Sequence, residues 1–239
     1  MIDERVPRAA PEQSDPERRA SVRLELAGLY FGRGQATTAL DEVKRALAAK
    51  PDMAEAYSLR GLIYASLGEL PLADESFQRA LQLAPRDADT LHNYGWFLCQ
   101  QQRYADSDTQ FGAALAQPQY REPVRTLLAQ GVCQARAGRF AEAERSLIRS
   151  YELDPASPVT AYNLSDVLMR RGNFERARFY VARINAVNEL ATAQSLWLAI
   201  RIERQLGNLQ GQQDIGRQLR ERFPQSTEAL QYERGHYEN

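Results

Sequence analysis

Two cysteines, Cys99 and Cys133, and two histidines, His92 and His236, are the residues of this 239-residue chain best suited to nucleophilic or metal chemistry. A zinc site normally takes four nitrogen or sulfur ligands, so it would need every one of them, and no metal is expected. A Cys–His catalytic pair fares no better. His92 precedes Cys99 by seven residues, so on a helix the two share a face but sit about 10 Å apart along the axis, beyond proton-transfer reach. Asp106 and Asp108 point to nearly opposite sides of a helix, which suits solvated charge better than paired acid–base work. The glycines punctuate helical stretches instead of clustering after a strand, so no loop cradles a phosphate. Nothing converges on a reacting atom, and the chain is read as a non-enzyme with no cofactor.

Charge and hydropathy narrow the partners. Lys and Arg number 30 against 31 Asp and Glu, a net charge of −1. Nucleic acid and anionic membrane surfaces both call for a basic excess, so neither is expected as a partner. No run of eighteen apolar residues is present to span a bilayer, and no charged-then-apolar leader is seen.

What could position such sparse chemistry is a set of repeated helices. The stretch Ala54–Pro85 carries Tyr57, Gly61, Tyr64, Gly68, Ala73, Phe77, Ala80 and Pro85, and Pro51 to Pro85 marks one 34-residue period. That is the tetratricopeptide (TPR) pattern, a helix–turn–helix unit whose small residues let paired helices approach while aromatics fill the remaining space. The motif describes packing, not a chemical site.

The same register runs through the chain. Residues 1–19, with Pro7, Pro11 and Pro16 among charged residues, read as a flexible tether, and 20–239 as a single TPR array. The first repeat has Leu26, Ala27, Tyr30, Gly34, Ala39, Val43 and Ala46, and the second is the stretch above. The third has Leu91, Tyr94, Gly95, Leu98, Phe111 and Ala114, with Ser107 in place of Ala. The fourth has Leu127, Leu128, Gly131, Gly138, Ala143 and Leu147. The fifth has Pro158 in its first turn, then Ala161, Leu164, Leu168, Gly172, Ala177 and Val181. The sixth is degenerate, with Gln212 and Gly216 where Ala and an aromatic belong, as end units often are. Ser226 to Tyr237 reads as a capping helix, with Ser226 as N-cap and Leu230 turned inward. The predicted fold is all-α: a TPR solenoid of six helix–turn–helix repeats plus a C-terminal cap, wound as a right-handed superhelix.

Such a chain acts through its surface. In TPR geometry the flank of each first helix that does not pack inward faces a concave groove. That assigns Leu24, Gly28 and Phe31 to the groove in repeat one, Leu62 and Ala65 in repeat two, His92 and Trp96 in repeat three, and Leu128 and Val132 in repeat four. Further on come Tyr162, Asp166 and Arg170, then Trp197, Arg201 and Arg204. The early groove is apolar and the later part polar and positive. It would hold an amphipathic or extended protein segment; cover by a neighbouring helix or by the tether is the competing account of the apolar residues. TPR co-chaperones clamp acidic tails with Lys and Asn at groove positions where this chain has Leu24 and Gly28, so that clamp is absent.

From repeat three onward the resemblance narrows. Asn93-Tyr94-Gly95-Trp96-Phe97-Leu98-Cys99 with Tyr104 and Phe111, then Gly131-Val132-Cys133 and Gly138, and later Leu196-Trp197-Leu198 with Arg201 and Phe223-Pro224-Gln225-Ser226, resemble the type IV pilus biogenesis and stability lipoproteins. These are the TPR pilotins of the pilus secretin, and the match covers roughly residues 21–228. The resemblance implies a protein on the periplasmic face of the outer membrane that binds a secretin subunit or another pilus assembly protein and helps the secretin localise and multimerise. It implies a lipid anchor on an N-terminal cysteine. No cysteine lies near Met1, so membrane attachment is expected only through an anchor not present in this chain. A monomer is expected. The alternative class is a bacterial TPR scaffold bridging partners unrelated to pili.

Cys99 and Cys133 occupy positions twelve and ten of the first helices in neighbouring repeats. Two residues' offset is about 200° around a helix, so one side chain points forward along the array and the other back. In the oxidising periplasm that the resemblance implies, a Cys99–Cys133 disulfide is expected; two buried free thiols are the alternative.

Overall fold

The structure, a computed structural model, describes residues 15–237. Most of the expected tether lies outside the described residues, and its boundary is displaced: the first helix, α1, already starts at Asp15 and runs to Gly32. Asp15 and Glu17 put carboxylates in its first turn, where the helix dipole favours them, and Pro16 is tolerated there because the first N–H groups have no intrahelical partner.

Among the described residues the chain forms thirteen helices and no strand. After α1 come α2 (Ala36–Ala49), α3 (Ala54–Ser66), α4 (Leu70–Leu83), α5 (Ala88–Gln100), α6 (Tyr104–Leu115) and α7 (Pro123–Arg136). They are followed by α8 (Phe140–Leu153), α9 (Pro158–Arg170), α10 (Phe174–Asn185), α11 (Ala193–Gln205), α12 (Leu209–Arg222) and α13 (Thr227–Glu233). The helices fall into two compact units divided between Phe97 and Leu98, within α5.

In each repeat the first helix stops and the chain reverses through a residue in the left-handed region. At Gly68 φ is +79°; its N–H donates to Ala65 O at 3.2 Å, and Glu69 N–H donates to Tyr64 O at 2.9 Å. This pair of bonds satisfies carbonyls that the helix end leaves free. Repeat three makes the same turn with no glycine: Gln102 adopts φ +60°, and Gln102 and Arg103 N–H groups donate to Cys99 and Leu98 carbonyls at 3.0 and 2.9 Å. The repeat geometry therefore overrides the steric cost of a Cβ at that position.

In the first unit α1 packs on α2 and α3 on α4, and α2 bridges to α3. Ala27, Ala39, Val43, Ala56 and Ile63 form its fully buried centre. A Cβ on Gly61 would lie 2.9 Å from the Phe77 ring, so the absent side chain is what lets α4 press an aromatic against the backbone of α3. Phe77 in turn stacks on Tyr94, ring centres 5.4 Å apart, while the Tyr94 hydroxyl donates to Asp74 Oδ1 at 2.9 Å.

The second unit repeats this device with different residues. Gly131 admits Leu147, whose Cγ lies 2.6 Å from where a Cβ would be. Ser165 stands at the corresponding place on α9 and donates its hydroxyl to Ala177 O at 2.8 Å, so even this buried hydroxyl is satisfied. Carboxylates on second helices tie repeat three to four and four to five: Asp108 pairs with Arg139 at 2.5 Å, and buried Glu144 binds Arg171 and, at 2.6 Å, Arg176. The Glu144 carboxylate, hydrogen-bonded to Arg176, holds that guanidinium's pKa above its ordinary value. Cys99 and Cys133 are both buried and are joined as a disulfide, their Cα atoms 5.8 Å apart.

The last repeat inverts the size pattern. Ile200 on α11 is large and fully buried where other repeats have a small residue, and Gly216 on α12 is bare. The remaining space is filled by Tyr232 of α13, whose ring lies directly on Gly216. Ser226 caps α13, accepting from Ala229 N–H at 3.1 Å. The inward residue is Ala229, not Leu230, which is 45% exposed. In a helix of seven residues the cap fixes the rotation, and the face that meets α11 and α12 carries Ala229 and Tyr232.

Candidate functional site

The residues assigned to a groove separate into two sets, one in each unit. In the first, Leu24, Phe31, Leu62 and Trp96 are half-buried. Leu24 and Phe31 rest on the cluster around Ala27 and Ile63, so each has one face against the core and one toward solvent. That is the posture of an apolar anchor: held in place by packing, yet with surface left to give. His92 does not share it. It is 8% exposed, because α5 buries Thr90, Leu91, Tyr94, Gly95 and Phe97 as well, so the helix is enclosed on more than one face.

In the second unit Leu128 and Val132 of α7 are half-buried, Leu128 against the cluster of Ala143, Leu147 and Leu164. Tyr162, Asp166 and Arg170 of α9 face Trp197 and Arg201 of α11 across a cleft of about 270 Å³, with Glu228 at its edge. Burial, and then the neighbouring Asp166 carboxylate, raise the Tyr162 pKa above the ordinary phenol value. Arg170 Nε donates to Asp166 at 2.7 Å.

Trp197 departs from the groove assignment. It is 7% exposed because Tyr237 stacks on its indole, ring centres 5.5 Å apart and 16° from parallel. Tyr237 reaches it through a second left-handed turn: Gly235 has φ +67°, with Gly235 and His236 N–H groups donating to Tyr232 and Gln231 carbonyls at 3.1 and 3.0 Å. This folded-back turn also closes one side of a larger pocket of about 800 Å³, which meets the cleft at Arg170, Arg201 and Gln231. Arg204 lines it, its guanidinium lying over the Tyr237 ring at 4.1 Å. Phe174, His236 and Tyr237 were not among the residues assigned to the groove, and the capping helix expected over Ser226 to Tyr237 ends at Glu233, which frees the last two to turn back.

Both cysteines are consumed in the disulfide, so neither offers a thiolate. Among the described residues no group of three His, Cys, Asp or Glu side chains is placed to hold a metal, and no helix is long and apolar enough to cross a membrane.

Family models of the tetratricopeptide repeat match residues 54–87, 98–158 and 134–196. The chain is similar to the type IV pilus assembly protein PilF of Pseudomonas aeruginosa, with 28% identity over 219 residues, 92% of this chain and 86% of that protein. It is similar to the crystal structure of PilW, described as a widely conserved type IV pilus biogenesis factor, with a TM-score of 0.81 and 33% identity over 89% of this chain and 97% of that one. A solved structure of Pseudomonas aeruginosa PilF superposes with a TM-score of 0.80 at 25% identity, covering 93% of this chain and all of that one (100%).

Proposed function

The chain belongs to the family of TPR type IV pilus biogenesis proteins that includes PilF and PilW, and from that premise we propose that it promotes outer-membrane localisation and multimer assembly of the pilus secretin by holding a secretin segment on its first repeats. The observation that carries this reading is the set of half-buried apolar side chains Leu24, Phe31, Leu62 and Trp96, each on the first helix of a repeat in the first unit. Side chains already fixed by packing lose little freedom on binding, so a modest apolar contact gives useful affinity. Shielding a subunit segment until its neighbours arrive is assembly without turnover, and it needs no catalytic group. The buried disulfide fits an oxidising compartment such as the periplasm, and the family resemblance is the basis for proposing the periplasmic face of the outer membrane.

The test is a strain lacking this protein, complemented with Leu62→Asp or Trp96→Asp and examined for heat-stable secretin multimers and their membrane. The expected result is monomeric or mislocalised secretin in the deletion and in both variants, with normal multimers on wild-type complementation. Normal outer-membrane multimers in the deletion strain would end the secretin reading and leave a scaffold role within pilus biogenesis.

A further inference from the structure

The 800 Å³ pocket in the second unit is lined by charge of one sign. Positive and negative side chains nearly cancel overall, yet Arg170, Arg201 and Arg204 all line this pocket and none of its described lining residues carries a carboxylate. Arg201 and Arg204 sit three residues apart on α11, on one face, and neither makes an ion pair among the described residues. Like charges at that spacing repel, so helix stability alone does not favour the arrangement. Only Arg170 has a charged partner, Asp166, engaged at 2.7 Å through Nε.

The walls are as informative as the charges. Phe174 and Tyr237 give the pocket aromatic sides, and the Arg204 guanidinium carbon lies over the Tyr237 ring, 4.1 Å from its centre. A guanidinium seated over an aromatic ring is restrained by it and keeps N–H donors for a carboxylate. The turn at Gly235 that places Tyr237 is itself doubly hydrogen-bonded, so this wall is built into the fold.

We propose that this pocket is a second protein-binding site, which takes an acidic side chain flanked by an apolar one from a partner polypeptide. The volume admits two or three side chains. A recessed pocket with aromatic walls is entered by side chains and not by the plane of a bilayer, which favours a peptide over an anionic lipid surface. The site lies in the second unit and does not rest on the assignment of Leu62 and Trp96 in the first.

The probe is an end-blocked Phe-Glu-Glu tripeptide, with end-blocked Phe-Gln-Gln as its neutral isostere, titrated into the whole chain while the arginine Nε–Hε resonances are followed by NMR. Saturable shifts of Arg201 and Arg204 are expected with the acidic tripeptide, weakening at least tenfold in apparent affinity between 50 and 300 mM salt, roughly as expected for screened charge. The Arg201→Gln/Arg204→Gln double variant, followed through the Arg170 Nε–Hε and the Gly235 and His236 backbone amide resonances, is expected to lose the response to the tripeptide while keeping its helical content and melting temperature, and Arg145→Gln, on the exposed side of α8, to keep the Arg201 and Arg204 shifts. Equal shifts with Phe-Gln-Gln, or no shift of either arginine, would overturn the proposal. So would binding of phosphatidylglycerol vesicles that the double variant abolishes when the tripeptide gives no shift; that outcome would assign the pocket to a lipid headgroup. Leu62→Asp is expected to leave the tripeptide shifts unchanged, so failure of the groove reading and failure of this one are told apart.

Discussion

The ring of Tyr232 lies on the bare Cα of Gly216, in the space that a second-helix side chain fills in the preceding repeats. Any carbon added at residue 216 overlaps the ring. Gly216→Ala therefore sets two effects against each other: helix propensity, which favours Ala by about 1 kcal/mol, and overpacking, which costs about 1–3 kcal/mol. Overpacking is expected to win, with a net loss of about 1–2 kcal/mol in urea unfolding. In a Tyr232→Ala background the clash is gone and the same substitution is expected to stabilise. A cycle in which Gly216→Ala has one sign in both backgrounds would show that Tyr232 does not occupy the site.

The Cys99–Cys133 bond joins α5 to α7 and closes a loop of 34 residues. In the chain-entropy model a loop of that length stabilises by roughly 3–4 kcal/mol, mostly by restricting the unfolded chain. Thiol titration of the unreduced, denatured protein is expected to find no free thiol. Reductant, or the Cys99→Ala/Cys133→Ala variant, is expected to lower the melting temperature by several degrees. Two titratable thiols per chain would refute the bond.

Tyr162 gives the second unit an alkaline sensitivity whose sign is fixed by its surroundings. Burial, followed by the Asp166 carboxylate, raises its pKa in the folded state. Above the ordinary phenol value, near 10, the unfolded chain loses this proton while the folded one keeps it, so stability is complete below that pH and falls as pH rises towards the folded-state pKa. Tyr162→Phe is expected to flatten this limb of the stability–pH curve relative to wild type, while leaving the curve unchanged in shape below pH 9. Parallel curves for the two proteins above pH 10 would contradict the assignment.

The period was legible because it rests on local spacing: Gly61 against Phe77 and Gly131 against Leu147 are pairs whose sizes complement one another at a fixed separation. What the spacing missed involves partners outside it. The turn at Gln102 lacks the glycine that marks the others, yet adopts the same left-handed geometry. Leu230 is the larger apolar residue of α13, but the Ser226 cap and the need to fill Gly216 turn Ala229 and Tyr232 inward instead. Trp197 belongs to the groove by register and is covered by Tyr237, a residue after the last helix that no repeat pattern includes. The Cys99–Cys133 disulfide, by contrast, was expected from the offset of the two cysteines on neighbouring first helices, with buried free thiols as the alternative, and the structure forms it.

The clearest separation of packing from surface compares two residues of the second repeat. Ala80 is completely buried on α4. Ala80→Arg forces a charge and several methylenes into that buried position, and no partner awaits the guanidinium, so a loss of more than about 3 kcal/mol and local unfolding of the repeat are expected. Leu62 is half-buried on the neighbouring helix α3. Leu62→Asp removes an apolar contact from the surface without stranding a charge in the core, so helical content by circular dichroism and the melting temperature are expected to stay close to wild type. Secretin multimer assembly in cells is nevertheless expected to fail, because the anchor has gone while its scaffold remains. If Leu62→Asp melts the protein as severely as Ala80→Arg, residue 62 is part of the packing and the groove register of the first unit is wrong.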